Sequence, residues 1–165
     1  MYKKIIVIGC PGSGKSYFSK QLSKQLNIPL YHLDNIYWKK DQTTVTRELL
    51  IEHIENIMQR DRWIIDGNYF STLEPRIKAC ESVIFLDFET SQCLEGIEER
   101  VGIPRDDMPW VEDEVSEELV AMVQAFSEEI RPQILALLER YKEKEIIILK
   151  NRMASTKYLK GTVES

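Results

Sequence analysis

The sequence has few cysteines, few glycines and no long apolar run. Its three cysteines are odd in number and form no Cys-x-x-Cys pair, which excludes a disulfide framework and a zinc site built from such pairs and is typical of a reducing compartment. Seven glycines and no fixed repeat exclude collagen-like and solenoid architectures. No apolar run approaches the roughly 20 residues of a membrane span, and the N-terminal apolar stretch is too short for a signal peptide. We therefore expect a cytoplasmic protein that does not enter a membrane.

Basic charge is also scarce and unevenly placed. The net charge is −5; residues 1–80 carry 12 Lys and Arg against 8 Asp and Glu, whereas residues 81–165 carry 10 against 19. Nucleic-acid-binding domains have a clustered basic excess, so we do not expect direct DNA binding. The basic first half is suited to an anionic small molecule.

Apolar residues are grouped in five short runs, rich in β-branched and aromatic residues, which predict strands buried on both faces of a parallel sheet. The runs are residues 5–8, 30–33, 63–65, 83–86 and 146–149. Apolar residues at helical spacing lie between the runs, and Pro132 predicts a kink or break near Arg131 in the longest helical segment. The alternation predicts a three-layer α/β fold over one domain of residues 1–165.

A glycine-rich segment carries the strongest functional signal. Residues 9–16 match G-x-x-x-x-G-K-[ST] at every fixed position, directly after the first strand and at the start of an amphipathic helix. In such a P-loop the backbone N–H groups and the helix N-terminus hold phosphates. Lys15 then reaches the β- and γ-phosphates, and the Ser16 hydroxyl binds Mg²⁺. The predicted ATP-binding residues are Gly9, Cys10, Pro11, Gly12, Ser13, Gly14, Lys15, Ser16, Tyr17 and Arg152.

Two aspartates end predicted strands and are expected at the same cleft, because ligands bind beyond the C-terminal ends of strands in open α/β sheets. Asp66 is predicted to hold Mg²⁺ together with Ser16; the alternative is a turn residue, since Asp-Gly is a common turn pair. Asp34 is predicted to orient or deprotonate an acceptor hydroxyl or to join the magnesium shell, and the alternative is a helix N-cap. For Asp87, at the end of the fourth run, we favour a structural role.

Phosphoryl transfer concentrates negative charge, which arginines beyond the P-loop help to stabilise. The predicted catalytic residues are Lys15, Asp34, Arg100, Arg105 and Arg131. The predicted acceptor-binding residues are Asp34, Tyr37, Trp38, Arg47, Asp66, Asn68 and Arg76. Residues 101–114 have no clear period and contain glycine and proline, so we interpret this segment as a loop or small lid.

Several segments, taken in order, resemble bacterial proteins of the adenylate-kinase-related, FlaR-type DNA topology modulation family. These segments are residues 9–16, 31–38, 63–69, 107–110 and 131–132, and the resemblance runs over residues 3–155. A wider resemblance is to nucleoside monophosphate kinases and shikimate-type kinases. It implies a five-stranded parallel sheet in the order 2-3-1-4-5, an acceptor-binding helical region at residues 35–80 and a lid at residues 101–115.

The chain departs from the adenylate kinase pattern at two places. Asp66 and the glycine after it match the pattern, but the arginine that grips an acceptor nucleotide's phosphate is missing from the segment that follows. Arg100 matches a lid-side arginine, whereas Gly96 stands where a second arginine is usual. Asp34 and Arg131 are more similar to residues of shikimate-type kinases that hold a hydroxylated acceptor.

The sequence therefore predicts an ATP- and Mg²⁺-dependent phosphotransferase with a small-molecule or nucleotide acceptor, working as a monomer or homodimer. The alternative is a nucleotide-dependent regulator linked to DNA topology that binds DNA or a protein. A slow ATPase without an acceptor ranks third.

Overall fold

A computed structural model describes residues 2–164, with five parallel strands in one sheet of order β2-β3-β1-β4-β5. The strands are β1 (Lys4–Gly9), β2 (Leu30–His32), β3 (Trp63–Asp66), β4 (Ser82–Leu86) and β5 (Glu145–Leu149). The helices are α1 (Lys15–Leu26), α2 (Leu33–Tyr37), α3 (Arg47–Met58), α4 (Leu73–Ala79), α5 (Thr90–Glu99), α6 (Glu117–Ala125), α7 (Arg131–Arg140) and α8 (Arg152–Glu164). The strand order confirms the topology that the sequence resemblance implies.

Strand β1 lies at the centre of the sheet, paired with β3 on one side and β4 on the other. Because successive side chains of a strand point to opposite faces, β1 contributes to two separate cores. Ile6 and Ile8 pack in the core that α3 to α7 cover, whereas Ile5 and Val7 pack in the core that α1 and α8 cover. The continuous apolar run of the sequence thus corresponds to a strand buried on both faces.

The strand register brings the C-terminal ends of four strands to one edge of the sheet. Val7 of β1 lies opposite Asp66 of β3, and Gly9 lies opposite Leu86 of β4. His32, the last residue of β2, also pairs with Asp66. The loops that follow these strands therefore meet at this edge, which is the ligand-binding side of an open α/β sheet.

Strand β2 is shorter than the sequence predicts. It ends at His32, and Leu33 and Asp34 belong to the short helix α2. Because β2 is at the edge of the sheet, only β3 holds it, and its ladder stops where β3 ends at Asp66. Asp34 therefore lies on a helix and not at the end of a strand.

At the predicted kink or break near Arg131 the chain stays helical and changes its helix type. A π-helical segment, Phe126–Ile130, joins α6 to α7, and Pro132 lies in the first turn of α7. Within residues 2–164, no helix combines the length and the apolar character needed to cross a membrane.

Candidate active site

The P-loop, residues 9–16, connects β1 to α1 and packs directly against α5. Gly12 and Gly14 adopt a φ of +86°, a backbone conformation that favours glycine. A Cβ on Gly12 would lie less than 3.0 Å from the Cys93 carbonyl, and a Cβ on Gly96 less than 3.0 Å from the Gly12 carbonyl. Helix α5 thus supports the loop backbone against backbone. This contact explains Gly96, because an arginine at that position would push α5 away from the P-loop.

Asn68 holds the first residue of the P-loop. Its Oδ1 accepts a hydrogen bond from the Gly9 N–H at 3.0 Å, and its Nδ2 donates to the Gly9 carbonyl at 2.6 Å. Both polar groups of the Gly9 backbone are therefore satisfied by one side chain from the loop after β3. Asn68 was predicted from the sequence to bind the acceptor, and its contact with Gly9 was not predicted. The available signal was that β1 and β3 are neighbours, so the residues that follow them meet.

Lys15 and Asp34 form the charged centre of the site. The Lys15 Nζ donates to the Cys10 carbonyl at 3.4 Å. Burial lowers the pKa of the Lys15 ammonium, and the charges of Asp34 and Asp66 oppose that shift. These two carboxylates therefore help to keep Lys15 protonated, the form that attracts phosphate.

Asp34 is held by Tyr69, whose hydroxyl donates to its Oδ1 at 2.6 Å. Burial raises the pKa of Asp34; the Tyr69 hydrogen bond and the Lys15 charge lower it, while the nearby charge of Asp107 raises it further. The net direction is upward, so Asp34 binds a proton more readily than an ordinary aspartate. That property suits a group that accepts a proton from a hydroxyl.

Asp66 is paired with His32 at the end of the neighbouring strand. The His32 Nδ1 lies 2.7 Å from the Asp66 Oδ2, and both side chains are largely buried. Burial lowers the pKa of His32, but the hydrogen bond and charge of Asp66 raise it above its ordinary value overall. Asp66 was predicted from the sequence to lie at this edge, but its pairing with His32 was not predicted.

Residues 101–116 contain neither helix nor strand and fold back over the P-loop. The Ser16 hydroxyl donates to the Asp107 Oδ2 at 2.7 Å. The Asp106 side chain pairs with Lys20 of α1, and its carbonyl accepts from Asn35 of α2. The segment predicted as a lid thus contacts the P-loop and both flanking helices in this structure.

Arg100 and Arg105 are placed at the base of the lid. Arg105 donates to Glu112 at 3.1 Å, and the Arg100 Nε lies 3.4 Å from the same carboxyl group. Burial lowers the pKa of Arg100, and the positive charge of Arg105 lowers it further. Arg105 also lies 3.4 Å from the Asp107 Oδ2, so the two partly buried guanidinium groups face two carboxylates at this end of the segment.

Two other predicted arginines are engaged in the protein frame. Arg131 forms a two-pronged ion pair with Asp87, at 2.8 and 3.0 Å, and Lys150 joins the same carboxylate at 2.6 Å. Arg76 is fully buried, and its guanidinium donates to backbone carbonyls of the loop after β3 and to a threonine hydroxyl. Burial lowers the pKa of Arg76 to about 10. Arg76 therefore differs from the expectation of an acceptor-binding residue, because carbonyls that turn inward take up its donors.

The remaining predicted residues lie at the rim. Tyr37 and Trp38 are half-buried. The rings of Tyr37 and Tyr69 meet edge to face with their centroids 5.1 Å apart, and the rings of Trp38 and Trp110 do so with centroids 5.5 Å apart. This aromatic wall adjoins Asp34 through Tyr69. Exposed positions are occupied by Arg47 on α3, Tyr17 on α1 and Arg152 on α8, the last paired with Glu99 at 3.3 Å.

The side chains of residues 2–164 do not form a complete metal site on their own. No group of three or more His, Cys, Asp or Glu side chains in that range could hold a metal ion. Mg²⁺ commonly takes one or two protein ligands together with substrate phosphates and water. The hydroxyl of Ser16 beside the buried carboxylate of Asp107 fits that pattern.

Comparison with known proteins gives a fold and no family. No family model matches the chain, and no curated protein sequence matches it. The structure resembles a shikimate kinase from Bacteroides thetaiotaomicron, with 16% identity and a TM-score of 0.58 over 99% of this chain and 98% of that one. It also resembles a gluconokinase from Sinorhizobium meliloti 1021, with 13% identity and a TM-score of 0.59 over 98% and 90%. A third is a shikimate kinase from Acinetobacter baumannii in complex with shikimate, with 13% identity and a TM-score of 0.63 over 98% and 91%. At these identities the likeness establishes a shared fold alone.

Proposed function

We propose that this chain is an ATP- and Mg²⁺-dependent phosphotransferase whose acceptor is a hydroxyl group of a small molecule. The observation that carries the proposal is the half-buried, hydrogen-bonded pair of Asp34 and Tyr69 beside Lys15 of the P-loop. A P-loop supplies phosphate binding, and a carboxylate with a raised pKa supplies a proton acceptor. The similarity of fold to shikimate kinases and a gluconokinase supports a kinase of small molecules.

The arginines of the acceptor region, residues 35–80, favour a hydroxyl over a nucleotide phosphate as acceptor. Arg60 and Arg62 bond to a tyrosine hydroxyl and to backbone carbonyls outside this region. Arg76 is enclosed in the core, and Arg47 is exposed on α3. A nucleoside monophosphate acceptor needs a cation for its phosphate, and among the arginines of this region only Arg47 has no hydrogen-bond or ion-pair partner within residues 2–164. A hydroxylated acceptor needs a base, and Asp34 supplies one.

In the proposed reaction the acceptor oxygen attacks the γ-phosphorus of ATP, the bond to the β-phosphate oxygen breaks, and ADP leaves. Asp34 orients the hydroxyl and takes its proton, while Tyr69 fixes the carboxylate. The P-loop amides and Lys15 hold the phosphates. Arg100 and Arg105 lie at the base of the lid, where they stabilise charge on the transferred group. Tyr37 and Trp38 form the wall of the acceptor site.

Bound Mg²⁺ would neutralise charge on the β- and γ-phosphates. In this chain Ser16 is the hydroxyl that would hold it, with Asp66 acting directly or through water. His32 fixes the orientation of Asp66 through the hydrogen bond at 2.7 Å.

Asp34→Asn tests the proposal, because it keeps the shape of the side chain and removes the charge. Nucleotides and small hydroxylated metabolites are first screened for acceptor-dependent ADP release. With the acceptor found, kcat of Asp34→Asn should fall by about 10²–10⁴-fold, while the affinity for ATP changes little. Arg47→Ala is the matched control and should leave the KM for a hydroxylated acceptor unchanged. A fully active Asp34→Asn enzyme, or a sharp rise in acceptor KM in Arg47→Ala, would instead indicate a nucleotide acceptor.

The resemblance to the FlaR-type family suggests a second function, a nucleotide-dependent regulator that binds DNA or a protein. Retention on a DNA column at moderate salt tests whether the protein binds DNA, because phosphate contacts make such binding steeply dependent on salt. Flow-through at moderate salt, together with ADP release in the acceptor screen, supports the kinase.

A further inference from the structure

The lid reaches the P-loop through one aspartate whose role the proposed reaction leaves open. Asp107 accepts a 2.7 Å hydrogen bond from the Ser16 hydroxyl, although the two residues are 91 positions apart in the sequence. Ser16 is the P-loop hydroxyl expected to bind Mg²⁺. A lid carboxylate is therefore placed directly at the position where the metal of an ATP complex is held.

Asp107 is buried and incompletely satisfied. Only 4% of the residue is exposed, and its Oδ1 is buried without a hydrogen-bond partner among residues 2–164. Arg105 is its nearest cation, but the Arg105 Nη1 lies 3.4 Å from the other oxygen, Oδ2, and the same guanidinium binds Glu112. A buried carboxylate oxygen without a partner is costly. A divalent cation held by this carboxylate would relieve that cost where it neutralises the carboxylate charge that the two oxygens share.

The spacing of the two oxygen atoms also suits a shared metal. Mg²⁺ binds its ligands in an octahedron at about 2.0–2.1 Å, so adjacent ligands lie about 2.9 Å apart. The Ser16 Oγ and the Asp107 Oδ2 are separated by 2.7 Å. Only a small adjustment would make both atoms neighbouring ligands of one ion, with nucleotide phosphates and water at the other positions.

We propose that Asp107 is a metal ligand delivered by the lid, which joins Ser16 around the Mg²⁺ that ATP carries. This inference rests on the proposed function. The metal then connects the nucleotide to the closed lid, since a single ion bridges the phosphates, the P-loop and residues 101–116. On either side of Asp107 in the sequence, Asp106 pairs with Lys20 and Arg105 pairs with Glu112.

The test measures metal affinity in a complex that cannot react. The full chain is saturated with β,γ-imido-ATP and titrated with Mn²⁺, and free Mn²⁺ is followed by electron paramagnetic resonance. Asp107→Asn should bind Mn²⁺ in this complex about 10–100-fold more weakly than the wild type. Its affinity for the analogue in EDTA should stay within about twofold. Asp113→Asn makes the same charge change at an exposed lid position and should behave as the wild type.

Two further measurements guard against a trivial loss of structure. Asp107→Glu keeps the carboxylate and should recover part of the Mn²⁺ affinity, which a purely structural role would not predict. The Trp38–Trp110 contact reports the position of the lid, whereas Trp63 is buried in the core. Mn²⁺ or Mg²⁺ should therefore change tryptophan emission in the wild-type analogue complex and not in Asp107→Asn; Trp110→Phe should remove the signal.

The outcomes separate this inference from the proposed function. Wild-type Mn²⁺ affinity in Asp107→Asn overturns the metal-ligand role. Tighter binding of the analogue to Asp107→Asn in EDTA also overturns it, because Asp107 would then be a latch that blocks the site. If the wild type itself does not bind the analogue, the proposed nucleotide function fails, and this inference fails with it.

Discussion

The P-loop and the lid line the same cleft, yet they are held in place by different kinds of contact. The P-loop is fixed by backbone: α5 meets it at Gly12 and Gly96, and Asn68 satisfies both polar groups of Gly9. The lid is attached to the rest of the protein by side chains, among them the exposed Lys20–Asp106 pair. Exposed ion pairs contribute about 0–1 kcal/mol. One wall of the cleft is therefore fixed by close packing of backbone, and the other by a small number of side-chain bonds, among them the buried bond between Ser16 and Asp107.

This difference predicts that removing a lysine of the P-loop lowers kcat far more than removing a lysine that only contacts the lid. Lys15→Ala should lower kcat by about 10²–10³-fold, the usual cost of removing a group that stabilises transition-state charge. Lys20→Ala removes only the exposed pair with Asp106 and should change kcat by less than about threefold. Steady-state kinetics of both variants provide the measurement. Comparable losses in the two would show that lid attachment limits the reaction.

The backbone contact between α5 and the P-loop makes a stability prediction. Gly96→Ala forces α5 away from the Gly12 carbonyl and should lower the free energy of unfolding by about 1–3 kcal/mol. Gly161 in α8 has open space around its Cα, so Gly161→Ala should be neutral or stabilising by up to about 1 kcal/mol. Urea unfolding of the two variants measures the contrast. Equal effects would mean that the P-loop adjusts easily.

Hydrogen exchange should distinguish the two walls in the intact protein. Amides of residues 101–114 should exchange faster than those of the P-loop and β1, because irregular segments held by few buried contacts open readily. Binding of ATP with the acceptor should slow exchange in the lid and change the P-loop little. Mass-spectrometric exchange with and without ligands checks this. Equal protection of the lid in both states would identify it as a fixed connector.

The smallest expected effect concerns Asp87 in the rigid frame. Burial raises the pKa of Asp87, but the hydrogen bonds from Arg131 and Lys150 hold it below its ordinary value overall. The contribution of ionised Asp87 to the free energy of unfolding is therefore fully present above about pH 4, the pKa of an aspartate in the unfolded chain. This contribution is lost as the pH falls through the lower pKa of Asp87 in the folded protein. In thermal unfolding, the melting temperature of the wild type should exceed that of Asp87→Asn at pH 7. The difference between the two melting temperatures should shrink below about pH 4. A difference that grows in acid would contradict the ion pair.

Local sequence signals predicted the fold and the P-loop well. The continuous apolar runs predicted strands buried on both faces, and β1 has its neighbours on both sides. The P-loop was found because its residues are consecutive and their spacing alone defines the structure. The end of β2 was misplaced by one residue, because the run of apolar residues continues into α2 while the ladder stops at the edge.

The contacts that assemble the site could not be predicted from the sequence, because they join segments that are far apart in it. Ser16 and Asp107 are 91 positions apart, and Gly9 and Asn68 are 59 positions apart. Arg76 was predicted at the acceptor because arginine binds anions, but three acceptors of the nearby chain occupy it. Residue type indicates what a side chain can bind, and only the packing determines which partner it meets.

The close approach of Gly12 and Gly96 also restricts how this chain can evolve. Neither glycine can acquire a side chain while the other segment keeps its place, so the two positions must change together or remain as they are. An arginine cannot enter α5 at position 96 to face the phosphates. The next position on the same helical face is Arg100, one turn later, at the end of α5. The positive charge that α5 brings to this face in the present chain is therefore Arg100, at the end of the helix where residues 101–116 begin.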